Sequence, residues 1–403
     1  MLDGTVHPDF ADVAATLIRL LPSSGHGGGA ATVYHRGRCV ADIWGGTRDD
    51  AGTPWSEDTI APCFSTGKGI VSTLMHMLID QGKAAYDDPV AQHWPGFEAG
   101  GKERITIRHV LCHEAGLYRI TDMIASPREM LDWDHMCGRV AAAEPAHEPG
   151  AAHGYHAFTF GWLLGGLIER LTGKSLAAAI ADELVAPLDL DGCFIGVPKE
   201  AMPRRAELEN GMAEPPSDKP AWRENAQEWI ETGLARVGVD LAEFRNALTP
   251  FNEPFDWNAE ETVQATIPGA NGQFTARSLA RVYAMLAEGG EIDGVRLVSR
   301  ERLVELSRVE NRGRDRVLMI PMHWRLGYHR AFTLGKTAPD AFGHYGYGGS
   351  GAFCDPSRRL AVALTVNTGS GTPAGDWRMP RLARAAIGAA DRIAAADPVG
   401  MDD

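Results

Sequence analysis

The 403-residue sequence is short of basic charge, has few cysteines and lacks a long apolar run. It carries 53 acidic against 39 basic side chains, for a formal net charge of -14. Such a surplus of acids repels nucleic-acid phosphates and anionic lipid, so we expect neither a nucleic-acid partner nor a membrane partner. The N-terminus, "MLDGTVHPDFADVAATLIRLL", also lacks the basic and apolar segments of a signal peptide.

The six cysteines are scattered and form no Cys-x-x-Cys pair. This spacing favours reduced thiols and a cytoplasmic protein over a disulfide framework. Three histidines, His147, His153 and His156, lie close together in the sequence. A proline and two glycines interrupt them, so their spacing is not that of a helical metal-ligand pair, and the sequence predicts no metal site.

Strand patterns stand at both ends of the chain and helical patterns in the middle. A hairpin is predicted over residues 29–45, with its turn at Arg36 and Gly37, and further strands in "GHYGYGGSGAFCD" and "RLAVALTVN". Helical periodicity and capping residues predict helices at the following places: from Ser65 to a cap at Gly82, over about 158–171, from Ser175, from Thr275, and over about 379–394.

This order of elements predicts an α+β fold, with a sheet built from both chain ends and a helical lobe inserted between them. We expect residues 1–60 and 270–403 to form the sheet lobe and residues 61–269 to form the helical lobe, within one unit. The proline-rich stretch 214–220 predicts an irregular insertion over about 200–265.

The stretch "CFSTGKGIV", residues 63–71, places Ser65 three positions before Lys68 at a predicted helix start. Residues i and i+3 of a helix share a face, so the hydroxyl and the amine can form a hydrogen bond. A serine needs such a base or cation to become a nucleophile. The alternative is an ordinary helix, in which Ser65 is an N-cap and Lys68 a surface charge.

A second stretch, "PGAAHGYHAFTFGWLLGG", contains Tyr155 just before a predicted buried helix. A phenol can carry protons if a nearby cation lowers its pKa, and Lys68 would be that cation. The alternative is a core tyrosine with a locally satisfied hydroxyl. No serine of the chain stands in a Gly-x-Ser-x-Gly pattern, which weighs against an α/β-hydrolase.

A third stretch, "FGHYGYGGSGAFCDP", is rich in glycine within a strand pattern. Glycines in a strand indicate that something approaches the backbone closely. A strand edge beside Ser65 could lend a main-chain N–H to an oxyanion. The alternative is a glycine-rich hairpin turn.

Taken together and in this order, the three stretches resemble the motifs of the penicillin-recognising serine hydrolases. This superfamily includes class C β-lactamases, D-alanyl-D-alanine carboxypeptidases and family VIII carboxylesterases, and the esterase branch is the most similar. The matching motifs are Ser65-Thr66-Gly67-Lys68, Tyr155-His156-Ala157 and His344-Tyr345-Gly346. The resemblance covers most of the chain and implies a β-lactamase/transpeptidase-like fold, an antiparallel sheet flanked by helices with a mostly helical lobe inserted.

The resemblance also implies roles for individual residues. Ser65 would form an acyl-enzyme, Lys68 and Tyr155 would transfer its proton, and no cofactor would be needed. The backbone N–H groups of Ser65 and Tyr347 would form the oxyanion hole. Substrate contacts are expected from the remaining motif residues, namely His344, Tyr345, Gly346, Gly348 and His156.

Two departures from the β-lactamase pattern bear on the substrate. Ala157 stands where class C β-lactamases have an asparagine, and His344 stands where they have a lysine. Without that amide and that fixed cation, small neutral carboxylic esters are favoured as substrates. β-Lactam or D-Ala-D-Ala hydrolysis, acyl transfer to an alcohol or amine, and a non-catalytic sensor remain as alternatives, and the oligomeric state stays open.

Overall fold

The computed structural model describes residues 2–23, 26–209, 241–248, 254–369 and 377–396. The β-strands of these residues are, in chain order, β1 (Leu2–Val6), β2 (Gly28–His35), β3 (Arg38–Gly46), β4 (Ala61–Pro62), β5 (Cys193–Phe194), β6 (Gln273–Phe274), β7 (Glu291–Ile292), β8 (Val295–Arg296), β9 (His329–Arg330), β10 (Phe342–Tyr345), β11 (Gly351–Asp355) and β12 (Leu360–Val366).

The main sheet has seven antiparallel strands in the order β1-β3-β2-β12-β11-β10-β9. Both chain ends therefore contribute to one sheet, and β12 joins the N-terminal strands to the C-terminal ones. A smaller sheet has the order β4-β6-β5, and its strand β4 lies just before Ser65 in the chain. The α+β architecture predicted from the sequence is confirmed.

The α-helices of the described residues are Ala11–Leu20, Gly67–Asp80, Val90–His93, Ile107–Leu111, Trp133–Ala142, Thr159–Thr172, Leu176–Ile180, Ala186–Leu188, Leu241–Leu248, Glu260–Gln264, Ala276–Ala287, Arg300–Leu306 and Arg378–Ala396. Gly67–Asp80 is called the serine helix below. The predicted caps are present: the side chains of Ser175 and Thr275 accept N-terminal amides, and Gly173 ends its helix in the left-handed region.

Helices cover both faces of the main sheet, so its central strand β12 is buried along its whole length. Alternate side chains of a strand point to opposite faces. Leu360, Val362 and Leu364 join a core with the first and last helices, whereas Ala361 and Ala363 join the larger core shared with Ala276–Ala287. The serine helix belongs to that larger core and contacts β10 and Thr159–Thr172.

Three details differ from or extend the sequence-based expectations. The predicted hairpin turn is present, with Arg36 and Gly37 at positive φ. The serine helix is buried on all sides from Gly67 to Ile79, so Lys68 is not a surface charge. The predicted insertion lies largely outside the described residues, and its described parts include the helix Leu241–Leu248.

None of the helices that the structure describes combines the length and the apolar character needed to cross a membrane.

Candidate active site

Ser65 lies in a strained turn at the entry to the serine helix. Phe64–Thr66 form one turn of 3-10 helix, and Phe64 has a φ of +43°, a conformation that non-glycine residues rarely adopt. The residue before the turn is fixed to the neighbouring strand segment, because the Cys63 N–H donates to the Gly272 carbonyl at 2.8 Å. The Ser65 hydroxyl therefore lies at the N-terminal end of the serine helix.

The Lys68 amine lies 3.0 Å from the Ser65 Oγ, as the i, i+3 spacing predicts. The side chain is fully buried. Its Nζ donates to the carbonyl oxygens of Ala157 at 2.6 Å and Gly269 at 2.7 Å. Burial lowers the pKa of Lys68 well below its ordinary value of 10.5, because a charged amine without a carboxylate partner is poorly solvated there.

The Tyr155 phenol reaches the same serine from the helical part of the chain. Its hydroxyl donates to the Ser65 Oγ at 2.7 Å. Burial raises the pKa of Tyr155; the hydrogen bond to Ser65 opposes this rise and the charge of Asp315 adds to it. The predicted lowering of the phenol pKa by a cationic Lys68 is therefore wrong, because the buried lysine is itself held toward its neutral form.

The third motif packs directly against the serine turn. A Cβ at position 346 would lie 2.1 Å from the Cys63 carbonyl oxygen, so only glycine permits this approach. The Tyr347 ring contacts the Phe64 ring edge to face, with 5.6 Å between centroids. Within the described residues, the backbone N–H groups of Ser65 and Tyr347 have no hydrogen-bond acceptor, which leaves both available to a ligand.

The side chains of His344 and Tyr345 lie on opposite sides of β10. His344 is buried and stacks beside Tyr155, with 6.1 Å between ring centroids. Burial holds the pKa of His344 well below 6.5, with His329 and Lys68 adding to the effect, so its ring is neutral. Tyr345 points away, and its hydroxyl donates to the Phe332 carbonyl at 3.2 Å. The structure does not bring the Tyr345 side chain to the serine.

His156, a predicted substrate contact, is a structural residue instead. It is fully buried, its Nε2 accepts the Leu117 N–H at 2.9 Å, and its Nδ1 lies 2.8 Å from the Gly154 carbonyl. Both ring nitrogens are therefore used by the backbone. Burial lowers the pKa of His156 to about 3, so the ring stays neutral. His113 is also fully buried, and its Nδ1 accepts the His156 N–H at 3.1 Å.

Two parts of the site carry no signal in the sequence. The loop containing Gly269 places its carbonyl against Lys68 and 3.4 Å from the Ser65 Oγ. Asn271 holds this loop, since its amide bonds the backbone of residues 262, 265 and 267. The buried Asp315 is the second part, and its Oδ1 accepts the Tyr155 N–H at 3.1 Å. In the sequence Asn271 is flanked by an alanine and a glycine and Asp315 by two arginines, and neither pattern predicts a contact with the site.

Aromatic side chains surround Phe64, which directly precedes the nucleophile in the chain. Phe64 contacts Trp257 with 5.4 Å between centroids, and Trp257 contacts Phe255 at 4.9 Å. Together with Tyr347 they form an aromatic cluster around Phe64, the residue that precedes Ser65. Trp222 and Trp229, the other tryptophans of the predicted insertion, lie outside the described residues.

The sequence of this chain matches the family model described as Beta-lactamase over residues 13–386, a span that includes all three motifs. The chain belongs to the Beta-lactamase family. The predicted resemblance is thereby confirmed. In the part of this Beta-lactamase-family chain that the structure describes, no group of three or more histidine, cysteine or acidic side chains is placed to hold a metal ion.

Several known proteins are similar to this Beta-lactamase-family chain over most of its length. Esterase/beta-lactamase LipL of Mycobacterium tuberculosis is 40% identical over 370 residues, which cover 90% of this chain and 82% of LipL. A penicillin-binding protein homologue from Caulobacter crescentus is 32% identical, with a TM-score of 0.83 and coverage of 96% of this chain and 100% of the homologue. A family VIII carboxylesterase is also 32% identical, with a TM-score of 0.79 and the same coverage.

Proposed function

We propose that this chain is a serine hydrolase that cleaves small carboxylic esters through an acyl-enzyme on Ser65. One observation carries the proposal: the Ser65 Oγ lies within hydrogen-bond distance of both the Lys68 amine and the Tyr155 phenol. A nucleophile in contact with a base and a second proton carrier is the arrangement that acyl transfer requires. Relatives named as esterases support the same reaction class.

The hydrogen-bond partners of Lys68 support giving it the role of the base. Two of its three neighbours are carbonyl oxygens, which only accept hydrogen bonds. A neutral amine has two hydrogens and one lone pair, so with both hydrogens on the carbonyls the lone pair faces the Ser65 hydroxyl. The lowered pKa of Lys68 favours this neutral form, and Lys68 can then take the proton as Ser65 attacks.

The Tyr155 phenol would act as the proton donor. Its raised pKa keeps the hydroxyl protonated, so it can donate to the leaving alkoxide once the proton of Ser65 has passed to Lys68. The N–H groups of Ser65 and Tyr347 would hold the oxyanion of the tetrahedral intermediate. Water then attacks the acyl-enzyme and gives a proton to Tyr155, while Lys68 returns its proton to the Ser65 oxygen as the acid is released.

The charge of the site favours neutral esters over carboxylated lactams. His344 is neutral and buried, and Ala157 offers no side-chain amide. A carboxylated lactam would therefore find neither a fixed cation nor the amide contact at these two positions. The aromatic cluster around Phe64 would instead contact an apolar acyl or alcohol group.

A panel of three substrates tests the reaction class. We expect turnover of p-nitrophenyl acetate and butyrate, with a kcat/KM for nitrocefin lower by on the order of 10²-fold or more, because the cation and amide contacts are missing. β-Lactam hydrolysis is the second candidate, since the relative LipL is named as an esterase/beta-lactamase. A kcat/KM for nitrocefin equal to that for the esters would contradict the ester proposal. An added alcohol that outcompetes water would reassign the chain to acyl transfer.

Replacing Tyr155 by phenylalanine should lower kcat for p-nitrophenyl acetate by on the order of 10²-fold, because the ring stays but the proton donor is lost. Steady-state kinetics measure the change. Tyr118→Phe is the matched control, since the Tyr118 hydroxyl is buried and has no hydrogen-bond partner within the described residues. Equal activity of the Tyr155→Phe variant and the control would remove Tyr155 from the mechanism.

A further inference from the structure

A buried carboxylate lies behind the Tyr155 ring, in a loop that the sequence motifs do not include. Asp315 has no exposed surface, and its two oxygens contact both the backbone of residue 155 and the side chain of Trp324. We propose that Asp315 is a positioning residue that holds the Tyr155 phenol in contact with Ser65. This inference rests on the proposed function, because it assumes that Tyr155 transfers a proton.

The first contact of Asp315 fixes the main chain at the tyrosine. Its Oδ1 accepts the Tyr155 N–H at 3.1 Å. The adjacent Arg316 N–H donates to the His153 carbonyl at 2.9 Å, so the two segments run side by side. The backbone that carries the phenol is thus hydrogen-bonded to the loop that carries the carboxylate.

The second contact fixes the plane of the phenol. The Trp324 indole N–H donates to the Asp315 Oδ2 at 2.9 Å. The Trp324 ring lies almost parallel to the Tyr155 ring, at 11° with 5.5 Å between centroids, and His113 contacts the same indole at 4.2 Å. Trp324 is fully buried, so its ring can move only if its neighbours move.

Four N–H groups converge on this carboxylate, which explains why the position needs an aspartate. The N–H groups of Val317 and Leu318 also donate to Oδ1, each at 2.9 Å. A carboxylate accepts all four bonds, whereas an asparagine would turn its own NH₂ toward the indole N–H. Two donors facing each other would push the indole away, and the stacked phenol would move with it.

Displacement of the phenol matters because Tyr155 reaches Ser65 through a single hydrogen bond of 2.7 Å. A shift of about 1 Å in a reacting group can lower a rate by as much as 10²-fold. We therefore expect Asp315→Asn to lower kcat for p-nitrophenyl acetate by on the order of tenfold, with KM unchanged.

A double-mutant cycle with Tyr155→Phe separates positioning from general damage. When the phenol hydroxyl is absent there is nothing left to position, so Asp315→Asn should not lower the residual rate of Tyr155→Phe further. Thermal unfolding shows that each variant is folded. If Asp315→Asn does not fold, Trp324→Phe takes its place in the cycle, because it keeps a ring on the phenol and removes the N–H that Asp315 holds.

If Asp315→Asn lowers kcat equally in the wild-type and Tyr155→Phe backgrounds, its role is merely structural and the inference is overturned. An unchanged kcat in the wild-type background would also overturn it. Failure of the proposed function gives a different result: Ser65→Ala would retain turnover, or Tyr155→Phe alone would have no effect.

Discussion

Ser65→Ala should abolish turnover of p-nitrophenyl esters, with a fall in kcat on the order of 10⁴-fold or more, because among the described residues Ser65 carries the one hydroxyl that contacts both Lys68 and Tyr155. The measurement is the initial rate of p-nitrophenol release at saturating ester. The fold should survive, since the Ser65 hydroxyl makes bonds only within the site and the alanine is smaller.

Ser72→Ala is the matched control for this experiment. Ser72 lies on the same buried helix, and its Oγ donates to the Gly327 carbonyl at 3.3 Å, away from the three motif residues. It should keep its activity. Undiminished turnover in Ser65→Ala would contradict the assignment of the nucleophile.

Lys68→Met should lower kcat by on the order of 10³-fold, because methionine fills the space of the lysine and cannot accept the proton of Ser65. Lys102→Met is a matched control, since Lys102 is also fully buried and its amine donates to the carbonyls of Ala99 and Ala143. Activity should survive in that variant. Comparable losses of activity in both variants would indicate that each substitution acts through folding, and would contradict the role of Lys68 as the base.

The pH dependence of Lys68 has a definite sign. Folding lowers the pKa of this amine. At neutral pH the amine is therefore protonated in the unfolded chain, whereas burial disfavours the protonated form in the folded state. The wild type should therefore gain stability relative to Lys68→Met as pH rises from neutral toward 10.5. Turnover should rise with pH through the lowered pKa of Lys68. Urea unfolding of both proteins at several pH values measures the first effect, and a fall in relative stability with rising pH would contradict it.

The local part of the site could be predicted from the sequence. Ser65 and Lys68 are three residues apart at a helix start, and helix geometry alone brings their side chains together. Tyr155 is 90 residues from Ser65, so no periodicity connects them. The order of the motifs and their resemblance to a family supplied that link.

The errors come from side-chain direction, which motif matching does not give. His156 follows Tyr155 directly, yet the phenol contacts Ser65 whereas the imidazole accepts the Leu117 N–H. The alternation of side chains along a strand separates His344 from Tyr345 on β10. Both mistakes treated neighbours in the sequence as neighbours in the cleft.

Two further parts of the site, the Gly269 carbonyl and Asp315, could not be predicted from the sequence for a different reason. The Gly269 carbonyl acts through the main chain, and any residue type carries such a group. Asp315 lies among Arg312, Arg314 and Arg316, a pattern typical of a solvated charged surface. Only the three-dimensional contacts show that it is buried against Tyr155.

The most direct test of the central claim is labelling with a fluorophosphonate followed by peptide mapping, in the wild type and in Lys68→Met. We expect one adduct on Ser65, loss of esterase activity in proportion to labelling, and much slower labelling when the amine is absent. An adduct on another residue, full activity after complete labelling, or equal labelling rates in the two proteins would contradict it.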